Sequence, residues 1–171
     1  ATGLVKAAVA FATIQKAAQL AGNAISEAIG RDSAEKKLSL LSKAYGEQAE
    51  TAELAASSAK KFGLSQTEAT EAIAQAYGRL RPVGVSLEDI ESTFNGFNTA
   101  ARLSGASAVE SAGAFRQLSQ ALGSGVLRGD EFNSIAEQAP GLLQAISKET
   151  GVAVGKLREL AADGKLTSDI V

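Results

Sequence analysis

A six-residue beat returns three times at one spacing and limits what this chain can fold into: Gly63-Leu64-Ser65-Gln66-Thr67-Glu68, Gly84-Val85-Ser86-Leu87-Glu88-Asp89 and Gly105-Ala106-Ser107-Ala108-Val109-Glu110. The glycines stand 21 residues apart. Glycine accepts the left-handed conformation that closes a helix, and the apolar residue after it folds back on the last turn. The serine then opens the next helix. Its hydroxyl accepts from a first-turn N–H, and the acid three residues on reaches back to the serine amide, with Asp89 as the short variant. Gly63 and Ser65, Gly84 and Ser86, and Gly105 and Ser107 are therefore read as stop and start signals. The three-residue joints separate helices of roughly 17 residues, about 26 Å long, and joints that short make neighbouring helices antiparallel.

The side chains that would fill such a fold are small. Alanine makes up about a fifth of the 171 residues and only eight are aromatic, so packing gains little apolar area per helix. Histidine and cysteine are absent, which removes the commonest general base, the thiolate metal ligands and any disulfide. The formal net charge of −2 argues against general nucleic-acid binding. Neither a signal peptide nor an uninterrupted membrane span is visible. Because methionine is absent and the chain opens Ala1-Thr2-Gly3, it is expected to be a piece of a longer polypeptide or a processed product.

Taken in order, the apolar positions Leu4, Ala7, Phe11, Ile14, Ala18, Ala21, Ile25 and Ala28 alternate steps of three and four, the spacing of a coiled-coil seam. This alanine-rich helix, which Gly30 is expected to close, could pack on its own chain or on other copies; it is the candidate self-association stripe. A long helix over 33–62 follows, with Gly46 able to bend or divide it. The beat then predicts helices over about 66–80, 87–103 and 108–122. Asn95 and Asn98 are read as solvent-side or interface polar groups beside Phe94 and Phe97. The beat fails at Gly123-Ser124-Gly125-Val126-Leu127-Arg128-Gly129-Asp130. There Gly123, Gly125 and Gly129 are read as a hinge and Asp130 as the cap of a helix beginning at Glu131. Shorter amphipathic helices follow, one opening at Pro140. No strand-length alternation occurs, so the class is all-α: antiparallel hairpins and a bundle with a 21-residue repeat, preceded by a long alanine-rich helix. The expected divisions are 1–30, 31–122 and 123–171.

Few residues suggest chemistry. The glycine-rich stretch follows a helix and lacks the Gly-Lys-Ser/Thr ending of a phosphate loop, and Arg128-Gly129-Asp130 is read as a turn. Ser33 with Lys36 and Ser57 with Lys60 share the spacing of some serine acyl-enzymes, but serine- and lysine-rich helices produce it by chance. Glu131, Glu137 and Glu149 have no tryptophan platform that would suit sugar cleavage. No catalytic, cofactor or metal residue is assigned, and the chain is not read as an enzyme.

The runs Lys61-Phe62-Gly63-Leu64-Ser65-Gln66-Thr67-Glu68, Arg79-Leu80-Arg81-Pro82-Val83-Gly84-Val85-Ser86, Phe94-Asn95-Gly96-Phe97-Asn98, Gln120 through Asn133 and Gln138-Ala139-Pro140 resemble the helical domain of tail tape measure proteins of long-tailed bacteriophages. The resemblance covers about residues 33 to 171. It implies a structural virion protein, in the tail tube lumen or at the tip, that sets tail length during assembly and leaves ahead of the DNA at infection. The expected partners are other copies of the chain, with a trimer favoured, and tube, distal-tail or hub proteins. The alternative is a peptidoglycan-degrading module of a phage tail.

Overall fold

In the computed structural model the described residues are 26–167. The stripe positions Leu4, Ala7, Phe11, Ile14, Ala18, Ala21 and Ile25 lie outside them. Eight helices make up the described fold. Helix α1 spans 26–43, and α2 (Gln48–Phe62), α3 (Gln66–Leu80), a 3₁₀ turn (Arg81–Val83), α4 (Leu87–Leu103) and α5 (Ala108–Ser124) follow. The chain ends with α6 (Gly129–Gln138), α7 (Pro140–Thr150) and α8 (Val154–Ala162). Among the described residues the only extended pairing is an isolated antiparallel bridge between Val126 and Thr167.

All three beat glycines have positive φ, 68° at Gly63, 97° at Gly84 and 91° at Gly105. At each joint the next residue donates five residues back: Leu64 N–H to Ala59 O at 3.0 Å, Val85 N–H to Leu80 O at 3.1 Å and Ala106 N–H to Ala101 O at 3.0 Å. This is the Schellman closure, which satisfies a helix-end carbonyl. The serines then open α3, α4 and α5. Glu68 N–H donates to Ser65 Oγ at 3.1 Å while Ser65 N–H donates to Glu68 Oε2 at 2.9 Å, and Ser107 with Glu110 repeats the exchange at 3.2 and 2.8 Å. At Ser86 the forward bond from Asp89 N–H is present at 3.0 Å, but the shorter Asp89 carboxylate accepts from the Ser86 hydroxyl instead of its amide.

Two boundaries differ from the expectation. Gly30 does not close a helix: α1 runs through it, and the pairs Arg31–Glu35 at 3.2 Å and Lys36–Asp32 at 2.7 Å bridge successive turns just beyond. The division expected at residue 30 therefore falls inside α1. The break occurs at Gly46, φ 72°, where Glu47 N–H returns to Ser42 O at 3.2 Å.

The core is one cluster running from Leu38 to Leu166. Its centre is aromatic: Phe94 meets Phe115 edge-on at 4.8 Å, Phe62 meets Phe94 at 5.9 Å, and Phe97 lies 5.6 Å from Phe115. Among α2 to α8 the most extensive helix pairing joins α3 to α5, alternate members of the repeat, while α6 packs on α5 and α7 on α4. Alanine makes that close approach possible; Ala69, Ala72, Ala76, Ala112, Ala114 and Ala121 are all buried.

Asn98 is neither solvent-side nor an interface group. It is 1% exposed, its amide donates to Phe94 O at 2.8 Å, and its Oδ1 accepts from the buried Ser111 hydroxyl at 2.7 Å. One turn beyond Phe94 on the same stripe, it is forced inward with the aromatics, and the burial is tolerable because both ends of the amide are paired.

Candidate functional site

The glycine-rich stretch does not form the loop the sequence suggested. Gly123 lies inside α5, where a Cβ would come 2.9 Å from Arg79 Cβ. Its role is close packing against α3. Gly125, φ 82°, closes α5, and Gly129 is the first residue of α6, where an added Cβ would come 3.6 Å from Ala162 Cα. Asp130 is not the cap either: it lies within the first turn of α6 and is exposed. Glu131 supplies the capping carboxylate, accepting from Arg128 N–H at 2.7 Å, because its longer side chain reaches the amide three residues back. Between the glycines, Leu127 is 1% exposed and its N–H donates to Leu166 O at 2.8 Å.

This stretch borders two depressions. The first is an open apolar groove of about 590 Å³ between the 3₁₀ turn, the end of α5 and the start of α7. Leu80, Val83, Val85, Leu118, Leu122 and Leu142 line it, with Gly123, Ser124 and Gly125 at its lip. Val83 is 64% exposed although aliphatic. The second, of about 510 Å³, is polar and lies between α5 and α6, with Gln117, Gln120, Asn133 and the carboxylates of Asp130, Glu131 and Glu137 on its walls. Glu131 is already engaged as the cap, and no aromatic residue lines this cleft. Among the described residues no cluster of three metal-ligating side chains occurs, and no helix is long and apolar enough to cross a membrane.

The densest polar constellation was not read from the sequence. Glu47, at the α1–α2 break, accepts from Tyr77 Oη at 2.5 Å and from Arg81 through Nε at 3.1 Å and Nη2 at 2.9 Å. The Arg81 guanidinium also stacks 4.5 Å over Tyr45, which meets Tyr77 edge-on at 5.9 Å. The arginine hydrogen bond, followed by the tyrosine hydrogen bond, holds the Glu47 carboxyl below its usual range. Burial, and then the bond to the carboxylate, pushes the Tyr77 phenol well above its ordinary value. A phenol held protonated against a carboxylate locked by a forked arginine is a structural clamp: both carboxylate oxygens are engaged locally. The spacing of Tyr77 and Arg81 by four residues was the only available signal; Glu47 lies 30 positions before Tyr77.

The self-association residue Ala28, the one stripe position within the described residues, is exposed on α1 beside Ile29, itself 63% exposed. Leu40 on α1, Leu103 at the end of α4 and Val109 at the start of α5 are also exposed aliphatics, at 72%, 85% and 58%. The described surface thus carries an apolar groove, a polar cleft, scattered exposed aliphatics and a clamp.

A family model described as tape measure protein matches residues 22–171. Neither the curated proteins nor the solved structures include a match.

Proposed function

The chain belongs to the tape measure protein family, structural components of the phage tail, and from that premise we propose that it lies in the tail tube or at the tip, sets tail length during assembly and leaves ahead of the DNA at infection. The family match over 22–171 carries this reading. The helical construction supports it physically, because local serine caps open α3, α4 and α5 and small residues let helices separate with little apolar area lost per contact. In this reading copies of the chain meet along the stripe from Leu4 to Ala28, with a trimer favoured, and tube, distal-tail or hub proteins bind the exposed aliphatic surfaces.

An in-frame deletion of residues 26–167 from the parent gene tests the length role, with tails measured by electron microscopy. If these residues span the tube as extended helix, tails shorten by about 210 Å, at 1.5 Å per residue. Tails of unchanged length would refute a measuring role for this segment. For the stripe, Phe11→Asp should lower the association state in sedimentation and leave the helical signal of 26–167 intact. Wild-type chain that stays monomeric up to high concentration would contradict self-association.

A further inference from the structure

The α1–α2 hairpin leaves Leu40, near the end of α1, 72% exposed. Counted in helical steps of three and four across the break at Gly46, Leu40 leads through Ala44 and Glu47 to Thr51, Leu54 and Ser58, which are buried on α2. Ile29, 63% exposed, falls on the same line about three turns earlier. One face of a continuous helix would thus join apolar residues that the hairpin leaves in water to the face that α2 buries.

The break has little local support. Gly46 is left-handed, and α2 begins without a side-chain cap, the Glu47 carboxylate being engaged by Tyr77 and Arg81. Lys43, Ala44, Glu47 and Gln48 are good helix formers or close to it. A helix carried through them would give the first N–H groups of α2 backbone partners. Straightening alone would bare Ala34, Leu38 and Ser42, all buried on α1. It would also empty the place on α3 where Leu41 lies against Gly78. Another α1 restores each of those contacts, and a second copy of the chain carries one.

We propose that two copies exchange α1. In each, α1 and α2 become one helix through Gly46, and α1 takes on α3 of the other copy the position it holds here on its own. The exchanged helix keeps its contacts, while Leu40, on the side of the fused helix that faces its own core, is enclosed between the copies.

Spin-label distances test this, and a chain without cysteine allows two engineered sites. Lys36 and Lys60 are both exposed. A Lys36→Cys, Lys60→Cys chain, labelled at both sites and refolded with excess unlabelled chain, reports the distance within one copy. In the hairpin the labels stand on adjacent helices, under about 20 Å apart; along a fused helix they stand about 36 Å apart. The expected result is the long distance in the dimer formed at high concentration and the short one in the monomer. Gly46→Ala, whose Cβ meets nothing within 4 Å but disfavours the left-handed backbone, should raise the dimer share. Leu40→Lys should lower it and leave the monomer's distance unchanged; an unaltered dimer share would remove Leu40 from the contact. A dimer with only the short distance, as association along the Leu4 to Ala28 stripe alone would give, would overturn the exchange. So would a long distance in the monomer, a long distance confined to the Gly46→Ala variant, or no dimer at any concentration.

Discussion

Single residues divide into those whose role is local and those whose role depends on a distant partner. A Cβ at Gly63, Gly84 or Gly105 would meet nothing within 4 Å, so alanine there is resisted by the left-handed backbone alone. Each substitution should cost about 1 kcal/mol in denaturant unfolding. Gly123→Ala is a different case. Alanine is favoured over glycine inside a helix by about 1 kcal/mol, but here the new Cβ meets Arg79 Cβ at 2.9 Å. The variant should therefore be destabilised, and a gain in stability would show that α3 and α5 do not approach as described. Tyr77→Phe keeps the ring packing and removes one bond to Glu47, for a loss of about 1 kcal/mol. The lowered Glu47 and Glu110 carboxyls set the sign of the acid dependence. Their contribution is present above the unfolded carboxylate pKa and is lost as pH falls through the lower folded values. Glu47→Gln should flatten that part of the curve of stability against pH, and an unchanged curve would remove the clamp from the account.

Helices show how far local signals reach. The bounds of α3 and α4, Gln66–Leu80 and Leu87–Leu103, coincide with those expected from the beat because stop, apolar fold-back, serine and acid all lie within six residues. Ser65→Ala and Ser107→Ala should each cost about 1 kcal/mol. Ser86→Ala should cost a similar amount, because its hydroxyl both accepts from Asp89 N–H and donates to the Asp89 carboxylate and both bonds are lost with it; a clearly smaller loss would show that this exposed hydroxyl contributes little to the cap. Gly30 and Gly46 could not be ranked in the same way. Neither is followed by an apolar residue and a serine, and what separates them is that Glu47 is held by Tyr77 and Arg81, 30 and 34 residues away. The same limit hid Asn98: its Ser111 partner lies across a joint, on the next helix.

Across the whole molecule, the all-α class was legible because helical periodicity and caps are written into contiguous sequence. The pairing of α3 with α5 was not, since it depends on which alanine faces meet after the chain has turned twice. Nor was the groove legible, because its walls come from helices α3, α5 and α7 and the turn between α3 and α4. One core joins these parts, and Phe115 stands at its centre between Phe94 and Phe97. Phe115→Ala should cost about 3–5 kcal/mol, a large fraction of the 5–15 kcal/mol typical of a domain. This core lies on both sides of residues 124–129 and takes in Leu127, which is fastened to Leu166. Native-state hydrogen exchange tests it most directly: the account predicts that the Leu127 amide exchanges about as slowly as those around Phe94, through the same global opening. Exchange at Leu127 orders of magnitude faster, with Phe94 still protected, would contradict it and make this stretch a hinge between two separately stable halves.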